Sequence, residues 1–167
     1  MIRALADFEE LWKVETDATQ KILSNITTES LAKAVHPDVR SLGRSAWHIV
    51  TSIPEMAGRT GLKLAGPHHE APIPSTAREI ADAYATVASS MLETVKKQWT
   101  DTDLLVEDDM YGQQWPRGKT LEVLITHQIH HRAQMLVVMR LLGLRVPGIY
   151  GPTKEEWSSF GMPAPTV

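Results

Sequence analysis

Four long stretches of this chain repeat apolar residues every three or four positions, and that spacing limits the fold more than any other feature. Leu5, Phe8, Leu11, Trp12, Ala18 and Ile22 form one such stripe between Ala4 and about Asn25, with no glycine or proline among them. Ser41 is a good N-cap for a second helix whose stripe is Leu42, Ala46, Ile49, Ile53 and Met56. Pro54 falls inside it and predicts a kink or an early end near Ser52. Thr76 and Glu79 have the spacing of a capping box for a third helix, carrying Ile80, Tyr84, Val87, Met91 and Val95 and running to about Trp99. Thr120 opens a fourth, which Gly143 ends as a residue just past the C-cap.

The connectors read differently. "TTESLAKAVHPDV" predicts a helical turn ended before Pro37, residues 63–74 a proline-bearing loop, and residues 100–118 a loop with room for one turn of helix. After Gly143 the segment "LRVPGIYGP" is extended, and Thr153 with Glu156 caps a short terminal helix. No stretch alternates like a half-buried strand. The expected fold is therefore all-α, a four-helix bundle with long connectors and a short C-terminal helix, formed by residues 1–167 as one domain.

Composition narrows function by exclusion. The formal net charge is −3 and the basic residues form no run, so the footprint of a nucleic-acid binder is missing. No cysteine is present, which removes disulfides, thiolate zinc sites and a cysteine nucleophile together. The N-terminus lacks a signal peptide's apolar segment and no apolar run approaches the ~20 residues of a membrane span, so a cytoplasmic location is expected.

Against that background "THQIHHRAQM" stands out, with three histidines in five positions of an otherwise apolar helix. At about 100° per residue, His127 and His131 lie roughly 40° apart around the helix and about 6 Å apart along it, so both can reach one ion. His130 is turned about 60° from one and 100° from the other, while Gln134 is nearly in line with His127. A third ligand must come from a facing helix, and His48 is the best candidate. It lies among Ser41, Ser45, Ser52 and Glu55, a polar strip that suits a pocket wall and equally a solvated helix edge.

Other metal templates fail on spacing. Glu-x-x-His occurs nowhere around these histidines, and Gln128 stands where His-Glu-x-x-His needs its glutamate. A mononuclear three-histidine site is the template that remains. His36, His68 and His69 sit in loops and are expected to face solvent. Ile125, Ile129, Leu136 and Met139 give helix four a second apolar face, which the bundle or a second subunit must cover, and a symmetric homodimer is favoured.

The segments "SLGRSAWHIV" and "THQIHHRAQMLVVMRLLGLRVPGIYGP" resemble the DinB-like family of metal-binding four-helix bundles, in element order over nearly the whole chain. The family pattern is a histidine on the second helix and a pair on the last, within His-x-x-His-His-Arg-Gly-Gln. The resemblance implies His48, His127 and His131 as metal ligands, with Gln134 as the motif glutamine and Ala133 in the glycine place. It implies a divalent ion, nickel or zinc, and a choice of activities.

Three functions follow from these expectations. The first is transfer of a low-molecular-weight thiol onto a small-molecule substrate; the second is hydrolysis by metal-activated water, with Gln134 orienting the substrate and Glu55 or Glu15 as general base. The third is a non-catalytic, stress-associated metal-binding dimer.

Overall fold

A computed structural model describes residues 1–166. Four helices account for most of it: α1 (Leu5–Leu23), α2 (Leu42–Arg59), α3 (Ala77–Gln98) and α4 (Arg117–Leu141). Between α3 and α4 run a 3-10 turn, Asp101–Leu105, and a hairpin of β1 (Glu107–Met110) and β2 (Gln113–Pro116); further 3-10 turns occupy Thr28–Ser30 and Trp157–Phe160.

The stripes predicted from the sequence form the core, except that Leu11 of α1 faces solvent, 44 % exposed. Phe8, Trp12 and Ile22 of α1, Ile49 and Ile53 of α2, Ile80, Tyr84 and Met91 of α3, and Leu124, Met135 and Met139 of α4 are all buried. Each such side chain contributes about 1.5–3 kcal/mol by leaving water. Two buried hydrogen bonds fix the register between helices: Trp12 Nε1 donates to the Ala88 carbonyl at 2.9 Å, and the Tyr84 hydroxyl donates to Gln128 Oε1 at 2.7 Å.

Helices α3 and α4 each pack against both α1 and α2, which places α1 diagonally opposite α2. The chain therefore crosses an end of the bundle between α1 and α2, and again between α3 and α4. Those crossings account for the long connectors, because a two- or three-residue turn joins only adjacent helices.

Three local expectations need correction. Helix α2 does not end near Ser52 but continues through Pro54 to Arg59. Ile53, Met56 and Ala57 are buried on this segment, and their burial outweighs the roughly 3 kcal/mol penalty of an interior proline. Residues 107–116 form an antiparallel hairpin in which Glu107 pairs with Pro116 and Met110 with Gln113, where the sequence reading had only loop and turn. Its turn is Tyr111-Gly112, at φ 61° and 82°, the doubly positive geometry of a two-residue hairpin loop. Helix α4 accordingly starts three residues before Thr120, directly from Pro116 at the end of β2.

At the other end of α4, Gly143 adopts φ 73°, and the amides of Gly143 and Leu144 bond back to the carbonyls of Arg140 and Met139. That is the glycine-terminated end expected at this position. Thr153 and Glu156 do pair, but the terminal helix they precede is a single 3-10 turn with no buried residue. Among the described residues no helix is long and apolar enough to cross a membrane.

Candidate metal centre

Helix α2 presents His48, half-buried at its middle, toward α4, which presents His127 and His131 from successive turns. The three rings meet edge to face, with centroids 4.9 Å apart for His48 and His127, 4.5 Å for His48 and His131, and 4.4 Å for His127 and His131. One nitrogen from each ring lies within 4.8 Å of the other two. The Nε2 atoms of His127 and His131 are 3.2 Å apart. Two imidazole nitrogens sharing an ion at about 2.1 Å stand roughly 3.0–3.4 Å apart, so the α4 pair already has ligand spacing.

The protonation chemistry fits the same use. Burial, then repulsion from the neighbouring rings, lowers His48 to about 4, and the same causes lower His127 to about 4. His131 is lowered as well, again chiefly by burial. All three imidazoles are thus neutral near pH 7, the state in which they bind metal. Gln134 Oε1 lies 2.9 Å from His131 Nδ1, which makes Nδ1 the protonated nitrogen and leaves the Nε2 lone pair facing the triad. His127 Nδ1 is buried with no hydrogen-bond partner among the described residues, so Nε2 is the nitrogen of that ring with a role to play.

The other candidates separate cleanly. Gln134 is exposed on the wall of a groove, and its amide joins His131 on one side to His130 Nε2, 3.0 Å away, on the other, so it can hold the His131 ring in place. His130 is exposed and turned out of the triad, as the helical geometry predicts. Glu55 lies beside His48 and His127 in one cavity, with Oε1 bound by Arg59 Nε at 2.6 Å and Oε2 accepting from the Tyr111 hydroxyl at 2.6 Å.

Glu15 is not a general base at this site. It is 6 % exposed, and its carboxylate pairs with Arg132 and accepts from the Tyr150 hydroxyl at 2.7 Å. Arg132 also donates to the Glu15 carbonyl at 2.6 Å and to Thr19 Oγ1 at 3.2 Å. The arginine that follows His131 therefore clamps α1 and the C-terminal segment onto α4. Its signal in the sequence was a pair of opposite charges, Glu15 and Arg132, each interrupting an apolar helix face.

His36 and His68 are exposed, as expected, and so is His69, which nevertheless reaches the cavity edge beside Glu55. Tyr111 was missed because the hairpin that carries it was missed; the Tyr-Gly pair was its signal, weaker than Asn-Gly.

Two cavities border the triad. A groove of about 660 Å³ is lined by His131, Gln134, Val137 and Leu141 of α4 and by Val35, Val39 and Arg40 of the loop before α2. A second, of about 470 Å³, is lined by His48, Glu55, Tyr111, Val123 and His127. The first runs toward the C-terminal end of α4 and the second toward its N-terminal end, so the triad lies between them.

Fold and site together define a helical-bundle protein whose facing helices converge three neutral histidines in an arrangement suited to a divalent ion. The chain belongs to the DinB family, whose model matches residues 1–165. It is 45 % identical over 167 residues, the full length of both chains, to the uncharacterized protein YrdA of Bacillus subtilis. A DinB-like protein of Bacillus cereus has a solved structure that superimposes with a TM-score of 0.85 at 44 % identity, over 90 % of this chain and 100 % of that one. YjoA of Bacillus subtilis, also DinB-like, shares the fold at a TM-score of 0.67 and 16 % identity, over 86 % and 97 % of the two chains.

Proposed function

We propose that this protein is a metal-dependent transferase of the cytoplasm that joins a low-molecular-weight thiol to an electrophilic small molecule, with zinc or nickel held by His48, His127 and His131. Imidazole ligands suit both metals. A divalent ion in a neutral three-histidine site supplies a Lewis acid that lowers the pKa of a thiol or a water.

The observation that carries the transferase reading is the pair of cavities on either side of the triad. Hydrolysis needs room for one organic reactant, whereas transfer needs two to meet at one centre. The sulphur–carbon bond forms as the bond to the leaving group breaks, and the thiol proton departs. In this reading Glu55 receives that proton: a carboxylate has about four lone-pair sites, and Arg59 and Tyr111 occupy two. Gln134 holds the His131 tautomer, and the chain's lack of cysteine means that the thiol must be a diffusible one.

A specific observation favours a second reading, metal-assisted hydrolysis: Glu55 shares its cavity with two of the three histidines, where it can equally deprotonate a water. Incubating zinc- or nickel-loaded protein with a panel of thiols and an activated aryl chloride separates the two. Conjugate formation that His127→Ala abolishes supports transfer. Ester hydrolysis with no conjugation by any thiol would replace it with the second reading.

Homodimer formation belongs to the same proposal. Ile125 and Met139 are buried within the chain, so Ile129 and Leu136, both half-buried, are what the second face of α4 leaves for a partner copy.

A further inference from the structure

We propose that Arg40 makes the larger groove a binding site for the carboxylate of an amphipathic small molecule whose apolar body lies along Val137 and Leu141. The proposal rests on the metal-site reading above and specifies what kind of reactant enters from that side.

The groove combines a cation with bare apolar wall. Val39, Val137 and Leu141 are 42 %, 62 % and 67 % exposed, although each lines a concavity beside the histidines. A volume of about 660 Å³ is in the range of small-molecule sites.

Arg40 has no acidic partner, a state it shares with Arg3, Arg44 and Arg145, but of these four it alone lines the groove. Arg59, Arg78, Arg117, Arg132 and Arg140 all form ion pairs within the chain, whereas Arg40 has none among the described residues. It lines the same groove as His131 of the triad.

Placing an unpaired cation beside residues meant to hold another cation is electrostatically unfavourable by itself. It becomes favourable once an anion lies between them, attracted by both. The acidic residue in the groove, Asp38, does not fill that place: its side chain is 91 % exposed and lies 3.8 Å from His36.

The charge count selects the class of anion. One guanidinium lines the groove, with Asp38 nearby, which suits a single negative charge better than a phosphate dianion. The planar fork of arginine matches a carboxylate through two parallel hydrogen bonds. The remainder of the molecule then meets Val137 and Leu141, and its reactive end points toward His131.

Calorimetric titration of the metal-loaded full chain tests this with two matched pairs: mercaptohexanoate against its methyl ester, and hexanoate against methyl hexanoate. The acids should bind about tenfold tighter than the esters, as expected for one charge-assisted contact of about 1.4 kcal/mol. Arg40→Ala should reduce that preference to about twofold or less, with metal content and ester affinity unchanged, and Arg40→Lys should retain part of it. Equal binding of acid and ester by the unmodified protein, or a preference that survives Arg40→Ala, would overturn the proposal. The thiol-free pair keeps the two readings apart. Preference for hexanoate with no conjugation of any thiol supports the carboxylate site and removes thiol transfer, and conjugation with no acid preference does the reverse.

Discussion

Glu15 and Arg132 show how much one pair of residues can determine in this bundle. Both are nearly inaccessible, and between them they join α1, α4 and the segment carrying Tyr150. Removing one partner leaves an uncompensated buried charge, so Glu15→Ala should lower the unfolding free energy by about 3–5 kcal/mol in urea titration. Gln134 acts on a smaller scale. Gln134→Ala frees His131 Nδ1 from its acceptor, and metal affinity measured against a competing chelator should fall about 10- to 100-fold without loss of helicity. Acid sensitivity also belongs to single residues. His48 and His127 are held near 4 in the folded chain against an ordinary value of 6.5, so the unfolded state binds more protons between those limits. The stability of the chelator-treated protein should therefore be fully present above about pH 6.5 and decline as pH falls toward 4. His48→Asn should make that decline shallower, as read from thermal midpoints across the range.

At the level of elements, the two departures from simple periodicity have separate causes. Helix α2 tolerates Pro54 because its neighbours are buried, and Pro54→Ala, which restores a donor to the Val50 carbonyl, should stabilise the protein by about 1–2 kcal/mol. The start of α4 is fixed by close approach of the N-terminal segment. The Ile2 amide donates to the Gly118 carbonyl at 3.1 Å, and a Cβ on Gly118 would lie 2.1 Å from the Ile2 carbonyl oxygen. Gly118→Ala should displace that segment and cost about 1–3 kcal/mol, with faster exchange of the Ile2 amide as its signature. The hairpin matters because it brings Tyr111 to Glu55, and so extends the site to an element that no apolar stripe announces.

At the level of the whole molecule, the diagonal placement of α1 and α2 lets α2 and α4 face each other along their lengths, with the triad in the seam and a cavity at either end. A proposed homodimer through Ile129 and Leu136 would leave this seam accessible. Sedimentation velocity should give twice the chain mass, shifting to the chain mass in Leu136→Glu; a chain mass for the unmodified protein would remove the dimer from the proposal.

The sequence by itself determined the four helices, most of their ends and the pairing of His127 with His131. These depend on contacts within a few residues: capping side chains, a glycine past the last turn, and the 3.6-residue period that aligns positions four apart. It identified His48 only as the best of several polar residues bordering α2, because which residue faces α4 depends on how two helices are rotated against each other. Tertiary structure alone decided that Glu15 belongs to Arg132, that Pro54 leaves its helix unbroken, and that Tyr111 and Arg40 border the triad. Each of those facts joins residues distant in the chain or turns on how a segment packs, and local periodicity carries no information about which faces will meet.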